Sequence, residues 1–305
     1  MAPDLAEPDA DVAVLTARLL RQVRRLEIRA RHLAEDIFAG SYRSVFKGKG
    51  IEFSEVRRYY AGDPIGAIEW NVTARTGYPH VKQHVDERQL TVLLVVDTSG
   101  SVQYGSLDRR KQDVAAEVAG LIAFSAIRNN DKVGLLMFAE QVEKFIPPDS
   151  GRRQGLRVIR EMLHHRPAGR GTHTAAALEF LSRVLTRRAI VFLLSDFHDE
   201  DFWRPMSVAA ARHDLIAVRL IDPRERDLPD VGLLELVDAE ADRHVLLDTS
   251  VEEYRRLLVG ALGARRREQA RQMARLSVDV IDVPTDGSAV DPLVRFFALR
   301  RRRLR

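Results

Sequence analysis

Between residues 90 and 285 the chain alternates short, uninterrupted apolar runs with longer stretches of helical period. Thr91–Val96 (TVLLVV), Val133–Phe138 (VGLLMF), Ala189–Leu194 (AIVFLL) and Leu215–Ile221 (LIAVRLI) are the runs, with a last one at Ser277–Val283. Runs this short and this apolar, rich in β-branched residues, predict strands buried on both faces of a sheet. Residues 108–128, Gly151–Leu163, Thr174–Leu185, Phe202–Arg212 and Val251–Leu276 carry apolar residues at helical spacing. Gln141–Ile146 reads as a short edge strand paired with the run before it, and the stretch between Ile221 and Val251 is rich in turn residues. Strand, helix and strand repeated in this way predict an α/β domain with a doubly wound, mostly parallel sheet. Such sheets bind ligands beyond the carboxyl ends of their strands.

Upstream the texture differs. Val12, Leu15, Leu19, Val23, Leu26, Ala30, Leu33 and Ile37 fall three and four apart, which predicts an amphipathic helix over 11–38. Residues 40–89 hold no long period and are punctuated by glycine, with Ala61-Gly62-Asp63-Pro64 the strongest turn signal. They predict a small irregular β module with Tyr59, Tyr60 and Trp70 in its core; a nucleic-acid surface is the other reading of its aromatics and bases. Arg57, Arg58 and Arg75 are expected to pair with Glu55, Asp63 and Glu69. The division is therefore 1–39, 40–89, an α/β domain at 90–285, and a basic tail at 286–305 in which Leu293, Phe296, Phe297 and Leu299 point to a short docking helix.

Composition narrows the chemistry. The 305 residues are 45% hydrophobic and 30% charged, enough apolar material for a buried core. No cysteine is present, so disulfides, thiolate metal sites and cysteine nucleophiles are excluded. The balance of 48 Lys and Arg against 44 Asp and Glu is a mild excess that does not itself call for nucleic acid. Only six of the basic residues are lysines, an arginine bias that reflects codon composition more than recognition. The acidic start and the absence of an apolar run near the roughly 18 to 20 residues of a spanning helix lead us to expect a cytoplasmic protein without a membrane span.

The first buried run leads directly into Asp97-Thr98-Ser99-Gly100-Ser101. Residues two apart in an extended segment face the same way, so Asp97, Ser99 and Ser101 offer three oxygens to one side. A second buried run ends in Ser195-Asp196, at the same edge of the predicted sheet, and Gly169-Arg170-Gly171-Thr172-His173-Thr174 supplies hydroxyls on a glycine-loosened loop. Two carboxylates with two or three hydroxyls form a hard, all-oxygen set suited to Mg²⁺ or Mn²⁺. Serine and aspartate in this string also serve turns and helix caps, and it is the agreement of three segments that favours a metal site.

At these residues the chain resembles the von Willebrand factor A family, whose metal-ion-dependent adhesion site is D-x-S-x-S followed by a Thr and an Asp. The resemblance assigns Asp97, Ser99, Ser101, Thr172 and Asp196 as metal ligands, Thr172 being chosen because it directly follows Gly171. It also implies an open metal position that an Asp or Glu of a partner protein completes. The block from Gly48 to Thr76 (GKGIEFSEVRRYYAGDPIGAIEWNVTART), followed by Val81-Lys82-Gln83-His84 and Asp86-Glu87-Arg88, is similar to the bacterial domain of unknown function 58 family. Together the likenesses cover residues 15 to about 285. Members of that family are associated with MoxR-type AAA+ ATPases in systems proposed to assemble, remodel or insert cofactors into client proteins; some carry transmembrane helices ahead of the block, and this chain is expected to be a soluble member without them. The resemblance thus implies a metal-dependent adaptor rather than an enzyme.

Two other readings remain. A metal-activated water with His198 or Asp199 as base would make a hydrolase. The run His198-Asp199-Glu200-Asp201 is otherwise the acidic cap and first turn of the helix that follows it. Arg-rich segments, including Arg300–Arg303, would in the other reading bind nucleic acid with a steep salt dependence. No HExxH zinc motif and no GxxxxGK[ST] occurs, so if ATP is hydrolysed nearby, a partner is expected to do it.

Overall fold

The computed structural model describes residues 56–60, 63, 68–82, 89–238, 240 and 243–303. The helix predicted over 11–38 and much of the 40–89 block lie outside them. Six strands form one sheet in the order β10-β7-β6-β3-β4-β5. They are β3 (Thr91–Asp97), β4 (Lys132–Phe138), β5 (Val142–Asp149), β6 (Ile190–Ser195), β7 (Asp214–Ile221) and β10 (Asp279–Pro284). All neighbours run parallel except β5, which pairs antiparallel with β4. This is the doubly wound, mostly parallel sheet expected from the von Willebrand A likeness.

Alternation along β3 explains why its sequence is apolar throughout. Val92, Leu94 and Val96 pack into one layer with α2 (Lys111–Arg128) and α3 (Arg152–His164). Leu93 and Val95 pack into the other with α4 (Thr174–Val184), α5 (Trp203–Arg212) and the end of α6 (Glu252–Arg275). Both faces of the strand exclude water, so no polar side is needed.

The chain leaves β3 for β4 on one side and later returns to place β6 on the other. The topological switch point, where doubly wound sheets open a crevice, therefore lies between the carboxyl ends of β3 and β6. Asp97 ends β3, and Asp196 immediately follows β6.

On the β5 side, Pro147 and Pro148 cross Gly134 at a bulge in the β4–β5 pairing. A Cβ at Gly134 would stand 2.8 Å from the Ile146 carbonyl oxygen and from the Pro148 nitrogen. Gln154 closes the irregularity by donating its amide to the Val133 and Pro147 carbonyls.

Three expectations are corrected. Residues 286–303 are no separate tail: helix α7 (Val290–Arg303) starts on Ser288, whose hydroxyl accepts from the Val290 and Asp291 amides, and buries Leu293 and Phe297 fully against the sheet. Two of its arginines have acidic partners, Arg300 pairing with Asp214 and Asp279, and Arg303 with Asp279, at the starts of β7 and β10. The turn-rich stretch holds an antiparallel hairpin, β8 (Leu233–Asp238) with β9 (Arg243–Asp248), whose Leu233 and Leu246 face solvent. Its mixture of apolar and acidic residues lacks the pure run that marks the central strands. In the 40–89 block, β1 (Val56–Arg58) pairs with β2 (His80–Lys82) beside α1 (Trp70–Thr76). There Tyr60 and Trp70 are exposed rather than core, and α1 buries none of its residues. Arg58 places its guanidinium over the Tyr78 ring, a cation–π contact.

The burial of Phe297 makes α7 integral to the domain. Phe297→Ala is expected to cost about 3 to 5 kcal/mol of unfolding free energy in urea denaturation. A loss below about 1 kcal/mol would mark α7 as a dispensable tail.

Candidate metal centre

At the carboxyl edge the first two loops are tied to their neighbours by main-chain bonds, and the third reaches the second through the Asp199 side chain. After β3, the Thr98 amide and hydroxyl both donate to the Phe138 carbonyl at the end of β4, at 2.8 Å each. The Gly100 amide donates to the Arg170 carbonyl at 2.7 Å, which joins the first loop to the one that carries Thr172. That second loop lies on glutamates. Glu143 accepts from the Ala168 and Gly169 amides and pairs with His165, while Glu140 accepts from the Gly171 amide. At Gly171 a Cβ would come within 2.9 Å of the Glu140 Cγ, so a larger residue there would displace the Glu140 side chain. Asp199 accepts from the amide and hydroxyl of Thr174 and so caps α4, not the helix that follows it in sequence. Helix α5 instead starts at Phe202 without a side-chain cap.

The predicted residues gather as follows. Asp97 is fully buried; its Oδ1 accepts from the Ser99 amide at 2.9 Å and its Oδ2 from the Ser195 hydroxyl at 2.6 Å. The Ser99 and Ser101 hydroxyls are 3.1 Å apart, as expected of residues sharing one side. Phe197, with a left-handed φ of 57°, turns the chain sharply after Asp196, its amide bonded to the Ser195 hydroxyl. Thr172 gives its amide and hydroxyl to Glu240, which lies in the turn between β8 and β9.

Asp196 meets a cation of the chain itself. The Lys111 Nζ lies 2.9 Å from Asp196 Oδ2 and 2.7 Å from Glu225 Oε1, and Lys111 is only 3% exposed. His198 Nε2 stands 3.7 Å from Asp196 and 3.8 Å from Glu225. Burial alone would depress the Lys111 ammonium, but Asp196 and Glu225 outweigh it and hold it above lysine's ordinary range. Burial opposes ionisation of Glu225 as well, yet His198 and Lys111 bring its carboxyl down to about 2. Asp97 behaves oppositely: burial, then the nearby charge of Asp196, push it up to about 7 despite the Ser195 and Ser99 bonds.

Asp97, Ser99 and Ser101 form a hard oxygen set with a buried carboxylate that has no cationic neighbour at bonding distance among the described residues, and this fits Mg²⁺ or Mn²⁺. Among the described residues no three His, Asp or Glu side chains gather as ligands, so the hydroxyls are needed to complete any such site. Lys111, Glu225 and Glu240 were not singled out from sequence. A lone lysine in Arg109-Arg110-Lys111, within an arginine-dominated chain, was the available signal for the first; a compact ammonium fits between two carboxylates where a planar guanidinium does not.

The chain matches a family whose description is "Protein of unknown function DUF58", over residues 55–269. An uncharacterized protein of Mycobacterium tuberculosis is 32% identical over 305 residues, covering 98% of this chain and 94% of the relative. One of Mycobacterium avium is 31% identical over 162 residues, 52% of this chain and 94% of that protein. Among solved structures, the conserved hypothetical protein BatB from Bacteroides thetaiotaomicron aligns with a TM-score of 0.46 at 13% identity, over 70% of this chain and 99% of BatB. The VWA domain of SpRpn10 aligns at 0.40 and 9% identity, over 68% and 95%.

The raised Asp97 carboxyl links pH to stability. Between about pH 4, where an unfolded aspartate ionises, and about pH 7, the folded protein keeps a proton that the unfolded chain has released. This group therefore lowers stability as pH rises through that window. In metal-free buffer, Asp97→Asn is expected to be more stable than wild type by up to roughly 4 kcal/mol at pH 8, the linkage of a rise from about 4 to about 7, with the gain gone below pH 4. Urea denaturation across pH measures this, and a difference independent of pH would contradict it.

Proposed function

Because the chain belongs to the DUF58 family and builds the von Willebrand A type of sheet, we propose that it is a protein-binding adaptor that captures an acidic side chain of a partner at a divalent metal. The observation that carries this reading is the convergence of Asp97, Ser99 and Ser101 at the switch point, with the Thr172 loop bonded to theirs through Gly100 and Arg170. In this reading Asp97, Ser99 and Ser101 hold Mg²⁺ or Mn²⁺, with Thr172 and Asp196 beside them. When bound, the ion supplies a Lewis-acidic centre for a partner's Asp or Glu carboxylate.

The chain's own residues do the remaining work. Buried Asp97 is oriented by Ser195 and the Ser99 amide, so it presents its charge without rearrangement. Glu140 and Glu143 hold the Thr172 loop against the first loop. The two side chains a hydrolase would call on have other tasks, His198 flanking Asp196 and Glu225, and Asp199 capping α4. This supports binding rather than catalysis. Among the described residues no helix is long and apolar enough to cross a membrane. The partner proposed from the family likeness is a MoxR-type AAA+ ATPase, or a client that such an ATPase remodels in the cytoplasm.

Pull-down of a MoxR-type ATPase from the same genome tests the proposal. Capture is expected with Mg²⁺ and is lost with EDTA or in Asp97→Ala, while circular dichroism shows the sheet intact. Equal capture under all three conditions would refute metal-dependent binding.

A further inference from the structure

Lys111 and Asp196 form the most buried ion pair at the carboxyl edge, and they change what the two predicted carboxylates contribute. The Lys111 ammonium bonds Asp196 Oδ2 at 2.9 Å, and the His198 amide approaches Asp196 Oδ1 at 3.4 Å, so both oxygens are engaged within the chain. The second anion on the ammonium, Glu225, also faces Arg266 at 3.6 Å and His198 at 3.8 Å. The charges on this side of the site are thus balanced internally. Asp97 differs, because the groups that bond it, the Ser99 amide and the Ser195 hydroxyl, are neutral donors.

We propose that Lys111 is a resident counter-ion that withdraws Asp196 from the metal ligands and leaves Asp97, of the two motif aspartates, as the one without a cationic partner among the described residues. This rests on the metal-dependent reading above and specifies its selectivity. A divalent ion faced by two carboxylates is neutralised by its own site. Bound by Asp97 as the single carboxylate ligand it keeps a net positive charge, and that charge favours an anionic oxygen from the partner over a neutral hydroxyl or carbonyl. Metal binding without a partner is correspondingly weak, and partner and ion each strengthen the binding of the other. A like charge fixed on Lys111 further weakens ion binding in the absence of a partner anion.

Titration of Mn²⁺ alone into the full chain, with free Mn²⁺ read by electron paramagnetic resonance, tests this. Wild type is compared with Lys111→Met, with the charge-neutral double variant Lys111→Met/Asp196→Asn, and with Asp97→Asn; circular dichroism checks folding. Lys111→Met is expected to bind Mn²⁺ at least about tenfold more tightly than wild type, since it removes a positive charge and releases Asp196. The double variant should stay within about threefold of wild type, and Asp97→Asn should lose binding. Lys111→Met binding no more tightly than wild type, or a larger loss in the double variant, overturns the proposal by showing Asp196 to be a ligand in the wild type. Should Lys111→Met fail to fold, the double variant decides alone. No Mn²⁺ binding by wild type or by either folded Lys111 variant overturns the metal-dependent reading itself, a result distinct from the other two.

Discussion

Asp97 and Asp196 sit at the ends of adjacent parallel strands in a part of the sheet from which water is excluded. Two buried like charges so placed repel one another, and each also loses its hydration. The Lys111 ammonium, brought in by the first turn of α2, offsets one of them through a hydrogen-bonded pair. The other is left with dipoles alone, and its carboxyl rises to about 7. The rest of the edge follows from this imbalance. Glu225, His198 and Arg266 arrange themselves around the ammonium and its anions, while the serine hydroxyls gather around Asp97.

The loops are held there by carboxylates acting as structural acceptors. Glu140, Glu143, Asp199 and Glu240 each accept backbone amides from the segment between Ala168 and Thr174. A glycine-bearing loop beyond a sheet has many unsatisfied N–H groups, and carboxylates satisfy them more strongly than neutral acceptors do. The site is therefore acidic for two reasons, only one of which concerns ligands. Counting acids at such an edge overstates the number available to a cation.

The central strands were legible because parallel strands covered on both faces must be apolar without interruption, and Thr91–Val96 and Ala189–Leu194 have that pattern. Asp97 and Asp196 were legible because they end those runs. What escaped notice depends on distant partners. Lys111 meets Asp196 across 85 positions of sequence, and Asp199 caps a helix that precedes it. Nothing local distinguishes such pairs from solvated charges. The basic run at 300–303 holds pairs of the same kind: Arg300 and Arg303 lie at the end of a helix packed by Leu293 and Phe297, next to acids that start two strands. The hairpin β8–β9 carries no local mark either, because Leu233 and Val237 on its exposed side are as apolar as the half-buried Leu234 and Leu236 between them.

The paired prolines at the outer strand have a bearing on how the molecule keeps to itself. Pro147 and Pro148 lack the amide donors that an incoming strand would need, so β5 offers only an interrupted ladder to another chain. At the opposite border, β10 ends in Pro284 and has α7 packed nearby, its arginines bridging to Asp279. Growth of the sheet by edge-to-edge addition is discouraged at both borders, which protects a strongly apolar parallel core from aggregation.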